Sequence, residues 1–204
     1  MPTILRIRPI NGELCSVLFD DKQKLTLTAE VLVREQLKTG KAIEAEDFSR
    51  LSSYSDERRC TSYVLYMLGR RPHSRFELKR KLSKNYDGEM AGRVLDRLEE
   101  QGFINDEEYA RAMALQLKQI RDYGKMKTAS ELHRKGVSRE ITEPLLEELF
   151  EEEDEIKRLA RYIETRYVNM LDDREDLKKL VNKLLRRGFS YAVIKKALDT
   201  AEKG

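Results

Sequence analysis

The sequence predicts a mainly α-helical protein: three tandem three-helix repeats in an elongated, curved array, preceded by a small N-terminal β-meander cap with short helices. Three observations predict this fold. The 204-residue chain has only 10 glycines and 4 prolines, which suits long helices with few loops. After residue 55, apolar residues recur at helical spacing, and their pattern repeats about every 50 residues. Before residue 29, apolar and polar residues alternate instead, as they do in strands.

Residues 3–28 predict the three strands of the meander. Their apolar residues alternate with a period of two, which places them on one face of a sheet. These residues are Leu5 and Ile7, then Cys15, Val17 and Phe19, then Leu25 and Leu27. Asn11-Gly12 predicts a type I′ hairpin turn, because both central positions of that turn need a positive φ. Asp20-Asp21-Lys22 predicts the second turn.

Two short helices complete this cap, which we expect to span residues 1–55. The first has Ala29, Leu32, Val33 and Leu37 on one face and Gly40 as its stop. The second is predicted from residue 45 to residue 51. The apolar face of the sheet should pack against both helices, since that packing fixes the strand register.

From residue 56 the sequence repeats. Asn85, Gly136 and Gly188 lie 51 and 52 residues apart, and each follows a basic residue and precedes an apolar one. Apolar residues recur five, nine and ten residues after each anchor, which is one face of a helix. They are Met90, Val94 and Leu95; Ile141, Leu145 and Leu146; and Val193, Ala197 and Leu198. The predicted repeats cover residues 56–103, 104–151 and 152–204, with nine helices in all.

Capping residues mark the helix boundaries inside each repeat. Ser74 and Asn105 each stand three residues before a glutamate, as in a capping box. Ser138 and Ser190 stand where third helices begin. The three anchors are Gly or Asn, the residue types that accept a left-handed conformation at a helix end. A repeat of about 50 residues buries too little surface to be stable alone, so neighbouring repeats should stack.

Charge follows the repeat, although the net charge of the chain is only +3. Residues 70–84 contain seven bases and one acid, residues 118–135 six and two, and residues 174–196 eight and two. Acids dominate residues 96–108 and 145–155, where one repeat meets the next. Compensation of the helix dipole explains part of this pattern but not a surplus of six bases in fifteen residues. We therefore predict a basic face that contacts phosphates. The candidate residues are Arg70, Arg71, Arg75, Lys79, Arg80, Lys84, Lys127, Arg134, Lys135, Lys183, Arg186, Arg187, Lys195 and Lys196.

No motif in the chain supports catalysis, so we expect no enzyme activity, no cofactor and no metal. Cys15 and Cys60 are too few and too far apart for a disulfide framework or a metal site, and should be reduced and buried. His73 and His133 lack a Cys or His at ligand spacing, which favours packing or surface roles. The acidic run 151–155 suits a solvated helix start better than a cation site. No phosphate-binding loop and no H-E-x-x-H motif is present.

The sequence also favours a cytoplasmic monomer without a membrane partner. No apolar run approaches membrane-spanning length, and an arginine at position 6 interrupts any secretory signal. Of the nine tyrosines, Tyr63, Tyr86 and Tyr109 recur at core or junction positions, so we expect them to pack rather than to stack on bases.

Four segments resemble the signature of the RecX family. They are R-x-x-S-x-x-E-L-x-x-K-L at 71–82, G-F-I-N-D-x-x-Y-A at 102–110, E-L-x-x-K-G-V at 131–137 and R-R-G-F at 186–189. The order and spacing agree over residues 56 to about 200. Asn85 replaces the glycine usual at the first anchor, and many shorter members lack the N-terminal strands.

This resemblance implies a modular helical protein that binds in the groove of the RecA filament on DNA and restrains RecA activity. It also implies some affinity for single- or double-stranded DNA, and a place in DNA repair, recombination and the SOS response. The residues alone leave two alternatives open. One is a helix-turn-helix array that binds DNA without RecA, and the other is a helical adaptor with only protein partners.

Overall fold

The structure is a computed structural model that describes residues 1–171 and 173–201. Its strands are β1 (Ile4–Pro9), β2 (Leu14–Phe19) and β3 (Lys24–Thr28). Its helices are α1 (Ala29–Arg34), α2 (Ala45–Arg70), α3 (Arg75–Leu82), α4 (Gly88–Glu100), α5 (Asp106–Gln119), α6 (Lys125–Arg134), α7 (Arg139–Leu149), α8 (Glu152–Arg166), α9 (Arg174–Arg186) and α10 (Tyr191–Ala201), with a 3-10 turn at Val168–Met170. The chain forms two compact units, one of residues 1–73 and 78–104, the other of residues 74–77 and those from 105 onward. The mainly helical fold with a small N-terminal sheet is therefore confirmed.

The three strands form an antiparallel meander in the order β1-β2-β3, as predicted. The predicted alternation is wrong at Leu5, which is 53% exposed, whereas Ile4 is buried. The cause is a shift in the pairing of β1 with β2 between Ile4 and Arg6. Such a bulge adds one residue to a strand and moves the following side chains to the other face.

The chain turns at Asn11-Gly12, but the turn is not type I′. Neither residue has a positive φ. The Asn11 side-chain oxygen instead accepts hydrogen bonds from the backbone N–H groups of Glu13 (3.0 Å) and Leu14 (2.9 Å). This side-chain bond replaces the turn geometry that the sequence predicts. The second turn is where we predicted it, with Lys22 at a φ of 68°.

The buried face of the sheet packs against α1 and the first half of α2. Its core residues are Ile4, Val17, Phe19, Leu25, Leu27, Val31, Leu37, Ile43 and Leu51. The first predicted helix is shorter than expected, because Gln36 at a φ of 48° ends it well before Gly40. Val33 is 78% exposed and does not belong to the predicted apolar face.

The two helices predicted on either side of residue 55 are one 26-residue helix, α2. We expected a separate helix at 45–51, and this expectation is wrong. No glycine or proline lies between residues 45 and 68, so no residue in that segment forces a break. Ser55 is buried inside α2, and its hydroxyl accepts a hydrogen bond from the backbone N–H of Thr26 at 2.7 Å. That serine therefore joins α2 to β3 instead of ending a helix.

Each repeat has its own apolar core, and the repeat pattern is confirmed. Seven of the nine residues predicted from the anchors are buried, and the other two, Ile141 and Leu198, are partly buried against the same cores. The third helices α4, α7 and α10 therefore have the same role. Tyr109 is buried as predicted, whereas Tyr63 is 38% exposed and lies beside the ring of Tyr86.

The predicted ends of the second helices are confirmed in two repeats and wrong in one. Gly136 and Gly188 have φ of 79° and 89°. Asn85 does not have a positive φ. Instead, the backbone N–H groups of Asn85 and Tyr86 both donate to the carbonyl of Leu82 at 3.0 Å, which ends α3 without a left-handed residue.

Three of the four predicted caps form. The side-chain oxygens of Ser74 and Ser190 each accept from the backbone N–H three residues later, at 3.2 Å. Asn105 accepts from the N–H groups of both Glu107 and Glu108 at 3.0 Å. Ser138 stands at the predicted position but makes no capping bond with its side chain.

Two joints of the same design lie inside the second unit. In the first joint, the backbone N–H of Arg75 donates to the Asp106 carboxylate (2.8 Å), and the Ser74 hydroxyl donates to the carbonyl of Lys135 (2.5 Å). The second joint comes 50 residues later: the N–H of Lys125 donates to Glu155 (3.0 Å). The N–H of Gly124 donates to the carbonyl of Arg187 (2.9 Å). In both joints, the start of the second helix of a repeat contacts two parts of the following repeat. These are the start of its first helix and the end of its second helix.

Candidate nucleic-acid interface

Three predicted bases extend into solvent from α3 and the turn after it. Lys79, Arg80 and Lys84 are exposed, and they form no ion pair with any residue in 1–171 or 173–201. Their exposure follows from the helix, because Leu78 and Leu82 on its opposite face are fully buried. Their charges are therefore available to an external anion.

The bases that flank the end of α2 are held locally. The Arg70 guanidinium donates to the Tyr66 hydroxyl at 2.7 Å and lies 5.7 Å from the centre of that ring. Arg71 donates to the carbonyl of Pro72 at 2.7 Å. Both side chains remain exposed, whereas Arg75 is half-buried at the first joint. Arg70 therefore lies at the surface against the Tyr66 ring.

The predicted bases of α6 are all engaged with acids. Lys127 (3.2 Å) and Arg134 both pair with Glu131, and hydrogen bonds from them lower the pKa of that carboxyl. The ammonium of Lys135 lies 2.7 Å from a carboxylate oxygen of Glu77, whose side chain is only 5% exposed. These three bases are already paired with acids, so phosphate contact would have to compete with those pairs.

In the third repeat, aromatic rings rather than acids hold two of the predicted bases. The Lys183 ammonium lies 4.5 Å from the ring centre of Tyr167, and the Arg187 guanidinium lies 5.1 Å from that of Tyr162. A hydrogen bond from Lys183 lowers the pKa of Tyr167, while burial raises the pKa of Tyr162 to about 12. Arg187 also donates to the carbonyl of Arg121 at 2.8 Å, so part of its role is structural.

The other predicted bases of the third repeat differ in whether they pair with an acid. Arg186 and Lys195 are exposed and have no ion-pair partner among the described residues. Lys196 pairs with Glu152 across α10 and α8. The structure thus brings Lys79, Arg80 and Lys84 together on and beside α3, and it leaves Lys183, Arg186 and Lys195 exposed on α9 and α10.

The two cysteines and the two histidines differ in burial. Cys60 is buried, and burial raises the pKa of its thiol to about 11, whereas Cys15 is only partly buried, contrary to our expectation. His73 is buried and His133 is exposed. Across the described part of the chain, no three His, Cys, Asp or Glu residues are grouped as a metal site, and no helix is long and apolar enough to cross a membrane.

The bases of α8 are absent from the basic face predicted from the sequence. Lys157, Arg158, Arg161 and Arg166 lie on this helix, which the acidic run 151–155 begins. When charge is summed over this segment of sequence, the acids at the start of α8 cancel its bases. The spacing of four residues between Lys157 and Arg161 could have revealed them, because residues one turn apart share a helix face.

Family comparisons match the chain in three consecutive segments. The first, second and third three-helix domains of RecX match residues 60–98, 105–144 and 151–198. These segments cover more than half of the chain. The chain belongs to the RecX family.

Curated RecX relatives are similar over nearly the whole chain. A regulatory protein RecX of Caldanaerobacter subterraneus subsp. tengcongensis is 26% identical over 184 residues, which are 90% of this chain and 91% of the relative. One from Clostridium botulinum strain Alaska E43 is 26% identical over 205 residues, 98% of this chain and 95% of the relative. A crystal structure titled regulatory protein RecX has a TM-score of 0.73 at 19% identity and covers 98% of this chain and 100% of its own, which shows a shared fold.

Proposed function

We propose that this protein regulates the RecA recombinase by binding the RecA nucleoprotein filament and restraining its activity. The observation that carries the proposal is the match of all three RecX domains in order along one chain. The RecX relatives bear the name regulatory protein. Regulation of RecA would place the protein in the cytoplasm, in DNA repair, recombination and the SOS response.

Weak binding to DNA is the second part of the proposal. The exposed bases on and beside α3 have no ion-pair partner in the described structure, so phosphate contact does not require them to leave an acid. Such contacts release counterions from DNA, and the logarithm of the affinity should fall linearly with that of the salt concentration. Phosphates carry no base identity, so the affinity should not depend on sequence.

One binding comparison tests the proposal against its two alternatives. Affinity is measured for RecA–DNA filaments, bare DNA and RecA alone, all at the same salt concentration. We expect the filament to bind most tightly. Equal affinity for bare DNA and filaments, with a strong preference for one duplex sequence, would favour a helix-turn-helix module that acts without RecA. Binding to RecA alone as tight as to the filament would favour an adaptor with protein partners only.

Charge reversal tests which bases contact the filament. We expect Lys79→Glu/Arg80→Glu/Lys84→Glu to weaken filament binding strongly. The same reversal at Lys183, Arg186 and Lys195 should weaken it too, because separate contacts on one chain add through effective concentration. These side chains are exposed, and exposed substitutions usually change stability by about 0.5 kcal/mol or less, so folding should survive.

A matched triple reversal separates local contact from net charge. Arg6, Lys24 and Lys38 are exposed bases of the N-terminal region without an ion-pair partner in the described residues. Their reversal changes the net charge by the same amount and should leave most of the affinity intact. If all three triple variants bind equally well, the filament contacts another surface. Reversal of the acids Glu151 and Glu153 should leave binding unchanged or slightly tighter.

A further inference from the structure

A groove runs between α8 and the loop that joins α5 to α6, inside the second unit. Its volume is about 530 Å³, and five bases contribute to its lining. They are Lys118, Lys157, Arg158, Arg161 and Arg166. Only two acids, Asp122 and Asp154, line it as well. The groove is separate from the basic residues predicted from the sequence, none of which lines it.

The α8 wall of the groove presents its bases in a row. Lys157 and Arg161 are four residues apart, and so are Arg158 and Tyr162, which places both pairs on one side of the helix. Arg161 and Arg166 are exposed and form no ion pair with any described residue. Lys157 has only a distant pair with Glu153, at 3.8 Å between exposed side chains. At least three positive charges are therefore available along about two and a half turns of helix.

The opposite wall is fixed in place by contacts from two partly buried arginines. Arg158 donates to the carbonyls of Lys118 (2.8 Å) and Tyr123 (3.0 Å), and its guanidinium lies 5.4 Å from the ring centre of Phe189. Arg187 holds the same loop through the carbonyl of Arg121. The groove is thus formed before any ligand arrives, which reduces the ordering cost of binding.

We propose that this groove binds the sugar–phosphate backbone of a DNA strand. The surplus of bases attracts phosphates, and their row along α8 suits a linear polyanion. Tyr162 is only 8% exposed, so the groove offers no free aromatic ring on which a base could stack. Binding here is therefore independent of sequence. This inference rests on the proposed function for the identity of its partner as DNA.

Charge reversal within the groove provides the test. The groove variant is Lys157→Glu/Arg161→Glu. The matched control is Lys178→Glu/Lys179→Glu on α9, which reverses two exposed bases that each pair with an acid three residues away. The probe is a fluorescently labelled single-stranded oligonucleotide of mixed sequence, titrated at several salt concentrations. Circular dichroism and thermal unfolding confirm that both variants are folded.

We expect the groove variant to bind at least roughly tenfold more weakly at low salt, and the control to bind nearly as the parent chain does. The slope of log affinity against log salt should become shallower by about 1.4, since each lost single-strand contact removes about 0.7. Arg161→Lys keeps the charge and should retain most of the affinity. Parental affinity and slope in the groove variant, or an equal loss in the control, would overturn the proposal.

Two competitors and one further partner separate the remaining outcomes. Pyrophosphate or poly-glutamate that displaces the oligonucleotide as effectively per charge as unlabelled DNA would show a site for small anions or acidic peptides, and would overturn the assignment to DNA. RecA filaments are then tested with the parent chain. A groove variant that loses DNA affinity, in a protein that never binds filaments, supports the groove and refutes the proposed function. Filament binding by the parent chain, together with unchanged DNA affinity in the groove variant, supports the proposed function and refutes the groove.

Discussion

The two joints of the second unit share one plan but differ in the chemistry that carries it out. In each, a carboxylate from a first helix caps the start of an earlier second helix. The first joint adds side-chain contacts: the Ser74 hydroxyl on the carbonyl of Lys135, and an ion pair from Lys135 to the buried Glu77. The second joint relies on backbone. The N–H groups of Gly124 and Met126 donate to carbonyls at the end of α9.

Glycine makes the backbone version possible. A Cβ on Gly124 would lie 2.5 Å from the carbonyl oxygen of Gly188, and a Cβ on Gly188 would overlap the backbone of Lys127. The position equivalent to Gly124 in the first joint, 51 residues earlier, is His73, and the carbonyl of Lys135 there accepts a hydrogen bond from the Ser74 hydroxyl. A repeat therefore conserves the place of a contact while its chemistry changes.

The largest expected effect is from Gly188→Ala. Alanine at a φ of 89° is strained by about 1–2 kcal/mol, and its methyl group would also push α6 away. With overpacking, we expect the free energy of unfolding to fall by about 2–4 kcal/mol, measured by urea denaturation. Gly92→Ala is the control. An added Cβ there meets nothing within 4 Å, and helix propensity should raise stability by up to about 1 kcal/mol. Similar effects at both glycines would refute the close approach of the two backbones.

The sequence predicted the parts of this fold that local patterns encode. The strands, the third helices and the glycine ends of α6 and α9 all follow from periodicity and residue type. The side-chain pairing at the first joint does not, because Lys135 and Glu77 are 58 residues apart. The sequence shows the three basic segments. It does not show which of their bases pair with acids, because that depends on such long-range pairs. The continuity of α2 through Ser55 is different, because its local signal, the lack of glycine and proline between residues 45 and 68, is present in the sequence.

The ion pair of the first joint should give the next largest effect. Lys135→Met removes the ammonium that lies 2.7 Å from the buried Glu77 carboxylate, to which the Tyr109 hydroxyl still donates at 3.2 Å. Because Lys135 is 28% exposed, we expect a loss of about 2–3 kcal/mol, less than for a fully buried pair. Arg134→Met, one residue earlier, removes an exposed pair and should change stability far less. Equal urea midpoints for the two variants would contradict a structural role for the pair.

A buried hydroxyl at the second joint predicts a gain in stability. Thr128 stands 51 residues after Glu77, and its hydroxyl is buried with no hydrogen-bond partner in the described residues. Thr128→Val replaces that hydroxyl by a methyl group of similar shape, so we expect a gain of about 1 kcal/mol. Thr61→Val is the contrast, because the Thr61 hydroxyl donates to the Glu57 carbonyl and accepts from Arg97. Stabilisation by both substitutions would show that the missing partner at Thr128 is not the cause.

The smallest effect concerns the capping carboxylate of the second joint, and it depends on pH. Burial raises the pKa of Glu155 above its usual 4.5, although Arg158, Lys125 and Lys118 and the bond from the Lys125 N–H oppose the shift. The folded state therefore holds this proton to higher pH than the unfolded state does. The contribution of Glu155 to stability is full below about pH 4.5 and declines as the pH rises through the raised pKa.

Glu155→Gln keeps an oxygen that can accept from the Lys125 N–H but removes the charge. The free energy of unfolding of the variant relative to the parent should therefore increase as the pH rises from about 4.5 towards neutral. The other carboxylates, including Glu131 with its lowered pKa, are present in both proteins and cancel in this difference. Glu153→Gln, at an 88% exposed side chain of the same helix, is the control. A difference for Glu155→Gln that stays constant, or that falls as the pH rises, would show that burial does not destabilise its charge at the joint.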